Sequence, residues 1–150
     1  MSNFDEYASD YSKKMRQTLS VALTSEEYQA EYKSNLIKRY ASRRRKISKI
    51  LDFGCGVGLS VPSLQKNFPD SEIFLTDVSE VSLSIARENF STVTTLKPDL
   101  LIEDKFDVIF LSTVLHHITA SERIGVIKRL RSRLSENGSY LLLSTILIIL

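Results

Sequence analysis

Three glycines at alternate positions, Gly54, Gly56 and Gly58, fall within Asp52-Phe53-Gly54-Cys55-Gly56-Val57-Gly58, after a short apolar stretch and ahead of a segment with helical character. A side chain at these positions would block a sharp turn or the close approach of a ligand, and the N–H groups opening the next helix can receive a carboxylate. In a parallel α/β sheet such a strand-to-helix turn lies outside the carboxyl ends of the strands, where these sheets bind ligands. A dinucleotide loop has the spacing G-x-G-x-x-G, which puts its third glycine at position 59, where this chain has Leu59. The plain alternative is a loop that uses its glycines only to turn.

The run Ile50-Leu51-Asp52-Phe53-Gly54-Cys55-Gly56-Val57-Gly58, with its G-x-G-x-G spacing, resembles the class I S-adenosylmethionine (AdoMet) dependent methyltransferase family. That resemblance implies AdoMet as cofactor, held at Asp52, Gly54, Cys55, Gly56 and Gly58, with Asp77 at the end of the second strand accepting from both ribose hydroxyls. Val78 and Ser112 join the implied cofactor contacts. In the family an acid after strand three commonly meets the adenine amino group, and Asp99 is the nearest candidate. Phe4-Asp5-Glu6-Tyr7-Ala8-Ser9-Asp10-Tyr11 resembles the opening of bacterial small-molecule members, which places Tyr11 against the sulfonium as a cation–π partner. These aromatics can equally serve only to staple a helix to the core.

Ser112-Thr113-Val114-Leu115-His116-His117-Ile118 is similar to the segment after strand four in small-molecule methyltransferases. His117 is the candidate catalytic residue there, because a neutral imidazole titrates near working pH and can orient an acceptor or take its proton; a packing or capping role is the alternative. Adjacent histidines are expected to point apart, so no metal site is expected. Family members that methylate exocyclic amines of bases carry [DNS]-P-P-[YFW] at this point, which Ser112-Thr113-Val114-Leu115 lacks, so a small-molecule acceptor is expected rather than nucleic acid.

These residues need a scaffold of alternating strands and helices. Thr24-Ser25-Glu26-Glu27 reads as a capping box, opening a helix to about Arg45 whose stripe Tyr28, Tyr32, Leu36 and Tyr40 is expected to pack on the domain. Strands are expected at Ile47 to Phe53, Glu72 to Thr76, Thr92 to Leu96, Phe106 to Leu111 and about Tyr140 to Leu147. Helices are expected from Ser60 to Phe68 and Ser79 to Phe90, each with its serine as cap, and after a second capping box at Thr119-Ala120-Ser121-Glu122. In the last helix Ile124, Ile127, Leu130 and Leu134 are expected on one face, with Asn137-Gly138 as the stop. The pattern predicts one α/β domain with a helical cap (1–46) and a doubly wound, Rossmann-like core (47–150). Its mostly parallel sheet takes the order 3-2-1-4-5 and lacks the last two strands usual in the family.

The bulk numbers fit that reading. The chain has 150 residues, 43% hydrophobic and 25% charged, as expected of a globular domain. The single cysteine, the absence of a signal-like N-terminus and the shortness of the apolar stretch 140–150 lead to the expectation of a cytoplasmic protein with no membrane span. Long, apolar and uncharged, the fifth strand is expected at the sheet edge, where it could pair with a second copy as a homodimer. Net charge is +2, with a basic run from Lys33 to Lys49 that reads as a solvated face. Alternatives to an active methyltransferase are a truncated AdoMet-binding protein with little turnover, nucleic-acid binding through the Arg43 to Lys49 cluster, and a nicotinamide-dependent oxidoreductase.

Overall fold

The computed structural model describes residues 22–41, 46–97 and 104–143. In chain order its elements are α1 (Ala22–Ala41), β1 (Lys49–Phe53), α2 (Val61–Asn67), β2 (Glu72–Thr76), α3 (Glu80–Asn89), β3 (Thr94–Leu96), β4 (Phe106–Ser112), a 3₁₀ turn (Leu115–His117), α4 (Ala120–Arg131) and β5 (Leu134–Leu143). The strands form one sheet in the order β3-β2-β1-β4-β5, and every pairing is parallel. A Rossmann-like α/β fold with the expected strand order is therefore present.

Strand alternation divides the core between the two faces of the sheet. Ile50, Leu75, Val108 and Phe110 pack with Ile37 of α1, Val61 and Leu64 of α2, and Leu83 and Ala86 of α3. Leu51, Phe53, Phe74, Ile109 and Leu111 face the other way, toward Leu130 of α4, and Phe106 at the irregular start of β4 packs with them. Burying each of the Val, Leu, Ile and Phe side chains stabilises the fold by about 1.5–3 kcal/mol. At the start of the strands, Asp107 accepts from the amides of Ser48 (2.8 Å) and Lys49 (3.1 Å) and from the Ser135 hydroxyl (2.8 Å), tying β1, β4 and β5 together. The carboxyl ends at the opposite edge carry the candidate site.

Several expected details are corrected. Helix α1 already runs at Ala22, so Thr24 lies within it rather than capping it. Its buried face is Ser34 and Ile37, while Tyr32 is 56% exposed. The difference arises because α1 meets α2 through polar groups: the Ser34 hydroxyl donates to the Ser63 carbonyl (2.9 Å), Ser63 donates to the Ala30 carbonyl (3.2 Å), and the Asn67 amide donates to Ser34 (2.8 Å). Of the expected stripe, Leu36 packs against the core and Tyr32 does not, while the side chains of Tyr28 and Tyr40 lie outside the described ones.

Ser79 caps α3 as expected, accepting from the Ser82 amide, but Ser60 has helical backbone and makes no capping bond, because its hydroxyl turns to Asp52. Thr119 likewise makes no capping bond to the α4 backbone and instead donates to the Glu122 carboxylate. Within α4, Leu130 is buried but Ile124 is 65% exposed, and Leu134 belongs to β5. The helix stops at Arg131, so Asn137-Gly138 is not its stop and lies in the irregular first half of β5, where the register jumps from Phe106↔Leu134 to Val108↔Ser139. Gly138 is needed there because an added Cβ would lie 2.8 Å from the Phe106 carbonyl oxygen.

Candidate cofactor site

At the carboxyl end of β1 the chain turns through residues 54–60 with Gly54, Gly56 and Gly58 at φ +76°, +55° and +84°, a region that L side chains rarely adopt. Backbone bonds hold the turn. Gly54 and Cys55 donate to the Thr76 carbonyl (2.8 and 3.1 Å), Gly58 to the Cys55 carbonyl (3.0 Å) and Val61 to the Gly58 carbonyl (3.0 Å). Gly56 donates to Asp77 Oδ2 at 2.8 Å, and Asp77 Oδ1 accepts from the Ser79 amide at 2.9 Å. The expectation that amides opening the next helix receive a carboxylate needs correction at Val61, whose amide is already bonded within the loop.

The three glycines differ in what surrounds them. A Cβ at Gly54 would lie 2.4 Å from Val114 Cγ2, and one at Gly58 would lie 3.1 Å from the Phe90 ring. At Gly56 nothing lies within 4 Å. The loop is therefore packed at both ends and open at its middle, beside the half-buried Asp77. Each Asp77 oxygen accepts one backbone hydrogen bond and keeps lone-pair capacity for another, so loop and carboxylate together fit a ligand that brings vicinal hydroxyls to Gly56.

Beneath the loop Asp52 is 3% exposed and accepts from the Ser60 hydroxyl. Burial pushes its carboxyl up to about 7; the Ser60 hydrogen bond opposes that, the Asp77 charge adds to it, and the Lys33 charge opposes it. Cys55 is shifted in the same sense, its thiol pushed far up by burial and then by the charges of Asp52 and Asp77. A thiol so disposed stays protonated at neutral pH and is a poor nucleophile. Across the carboxyl edge, Lys33 of α1 donates from Nζ to Ser112 Oγ at 2.6 Å. Ser112 follows Leu111, which pairs with Phe53, so this contact is level with the first residue of the glycine loop.

The structure thus brings Asp52, Gly54, Cys55, Gly56, Gly58, Asp77 and Ser112 to one edge. Val78, next to Asp77, is 69% exposed. His117 is exposed on the 3₁₀ turn. Its ring does not point away from that of His116 as expected, for the two centroids are 3.9 Å apart with planes at 42°. Among the described residues no group of three or more His, Cys, Asp or Glu could hold a metal ion, and no helix is long and apolar enough to cross a membrane. Asp99 and Tyr11 lie outside the described residues.

Sequence reasoning missed Lys33, Ser60 and Val114 as site neighbours. Lys33 lies one residue before Ser34 and four before Ile37, on the helical face that packs inward, and that spacing was the available signal. Val114 gave no comparable signal, because it reaches Gly54 through a left-handed turn at Thr113 (φ +57°), an uncommon conformation for a β-branched residue.

Comparison with known proteins adds the family. Residues 51–140 match the family model described as a methyltransferase domain. The malonyl-[acyl-carrier protein] O-methyltransferase of Bacillus cereus is 34% identical over 102 residues, spanning 65% of this chain and 37% of that protein. The release factor glutamine methyltransferase of Bacteroides thetaiotaomicron is 40% identical over 60 residues, spanning 40% of this chain and 20% of that protein. The matched stretches therefore span well under half the length of these relatives. Among solved structures, the SAM-bound amino pentose methyltransferase of Micromonospora echinaspora superposes with TM-score 0.66 at 18% identity, covering 87% of this chain and 54% of that one. With its family match across the glycine loop and its 3-2-1-4-5 parallel sheet, this chain belongs to the methyltransferase family, in the class I AdoMet-dependent group.

Proposed function

We propose that this chain binds AdoMet at the glycine loop and transfers its methyl group to a small-molecule acceptor. The observation that carries the reading is the open face of the loop at Gly56, whose amide is bonded to Asp77. Asp77 accepts from the ribose hydroxyls while bracing the loop, and the exposed apolar side chain of Val78 covers the base. When bound, AdoMet supplies an electrophilic methyl on a sulfonium sulfur.

The protein's part is alignment, and holding two reactants in line can lower a barrier by up to ~7–11 kcal/mol. Ser112 lies beside the cofactor, and the 3₁₀ turn beyond the tip of β4 faces the acceptor. His117 there is exposed and takes the proton that an acceptor hydroxyl or amine must lose. Cys55 takes no covalent part, since its thiol is held protonated.

The test is formation of S-adenosylhomocysteine from AdoMet and the low-molecular-mass fraction of a cell extract. The reading expects product with that fraction. Product only with the macromolecular fraction would refute the acceptor class, and binding with no product from either would identify a cofactor-binding chain without turnover.

A further inference from the structure

The 3₁₀ turn beyond β4 closes at Ile118, and the carbonyl of Ile118 is held by a cation. Arg123, near the start of α4, donates from Nε to that oxygen at 2.9 Å, so an exposed side chain folds back onto the turn instead of extending into solvent. Its amide donates to the Thr119 carbonyl at 3.1 Å, and both ends of the residue are thereby fixed. The same turn carries His116 and His117, whose rings lie side by side.

The charge of Arg123 is not compensated nearby. It forms no ion pair among the described residues. Glu122, the acid next to it in sequence, accepts from the Thr119 hydroxyl instead. The acids of the carboxyl edge, Asp52 and Asp77, stand at the ends of β1 and β2, tied to Ser60 and to the Gly56 amide. This edge is therefore acidic at the glycine loop and basic where the acceptor-facing turn ends.

We propose that the methyl acceptor carries an anionic group, a carboxylate or a phosphate monoester, and that Arg123 binds it. The inference rests on the methyltransferase reading given above and adds the chemical class of the acceptor. A bond from Nε alone leaves the N–H groups of both terminal guanidinium nitrogens, whose spacing matches two oxygens of either anion. Because the fork is already held at Ile118, less rotamer freedom is lost on binding. A bidentate pair also fixes direction, so the rest of the acceptor is oriented from a point one residue beyond His117 rather than merely drawn to the surface.

Formation of S-adenosylhomocysteine from AdoMet tests this, with the low-molecular-mass fraction of a cell extract divided on an anion exchanger as the source of acceptor. Acceptor is expected in the retained portion. With that portion kept dilute, Arg123→Gln is expected to lower the rate by about 10- to 100-fold and Arg123→Lys to recover part of the loss, while calorimetric affinity for S-adenosylhomocysteine stays within about two-fold. A large excess of the retained portion is expected to bring Arg123→Gln back toward the wild-type rate. Product from the unretained portion alone would overturn the proposal, as would an undiminished rate in Arg123→Gln. A loss that excess acceptor does not recover would also overturn it, marking Arg123 as a residue that only holds the turn. Prior treatment of the retained portion with alkaline phosphatase separates the two anions: activity abolished identifies a phosphate monoester, activity kept identifies a carboxylate, and each agrees with the proposal. A wild-type chain that forms no product from the undivided fraction would instead overturn the reading on which the inference stands.

Discussion

The Gly56 amide donates to the Asp77 carboxylate at 2.8 Å, joining the middle of the glycine loop to the end of β2. Residues 21 positions apart are thereby coupled, and one carboxylate serves both the loop's shape and its proposed ligand. Asp77→Ala removes both functions. It is expected to weaken AdoMet by ~10- to 100-fold in titration calorimetry, since charge-assisted hydrogen bonds contribute ~1.5–3 kcal/mol; an unchanged affinity would remove Asp77 from the site.

Glycine substitutions should separate packing from ligand access. Gly54→Ala places a Cβ 2.4 Å from Val114 Cγ2 at φ +76°, and a loss of roughly 2 kcal/mol or more in chemical denaturation is expected. Gly56→Ala meets no neighbour within 4 Å and incurs only the left-handed strain, about 1 kcal/mol, yet it projects into the open face. Its main effect should be on AdoMet affinity, and a Gly56→Ala chain that is as unstable as Gly54→Ala but binds normally would contradict the assignment of that face.

Asp52 gives the chain a pH signature. Its carboxyl rises from 3.8 to about 7 on folding, so the folded state holds the proton more tightly than the unfolded chain. The group then favours folding below pH 4, and that contribution is lost as pH rises through 4 to 7. Asp52→Asn, which stays neutral, should be more stable than wild type by a few kcal/mol, on the order of 2–4, at pH 8 and by less at pH 5. Thermal melts at the two pH values check this, and an advantage that is larger at pH 5 would contradict it.

Thr76 is fully buried, and its Oγ1 has no hydrogen-bond partner among the described residues. A buried hydroxyl without a partner costs about 1–3 kcal/mol, so Thr76→Val, of similar shape, should raise the midpoint of chemical denaturation. A lowered midpoint would show that the hydroxyl is satisfied.

Much of this arrangement is legible in the sequence because the decisive residues are local. Glycine spacing and the apolar run before it locate the loop, and Asp77 is found by its place at the end of a clear strand. The packing of α1 is not legible in the same way, because its interface with α2 is built from Ser34, Ser63 and Asn67, residues that read as solvent-facing. Ser60 shows the same limit: it is a good cap by type, but the buried Asp52 offers a stronger partner for its hydroxyl. The Thr113 turn that brings Val114 onto Gly54 depends on a backbone conformation that residue type does not announce.

The central claim is that the open turn after β1 holds a sulfonium nucleoside. Calorimetric titration of the purified chain with AdoMet and with NAD tests it directly. Saturable one-to-one binding of AdoMet with no heat from NAD is expected; saturable binding of NAD with silence toward AdoMet would contradict this assignment of the turn.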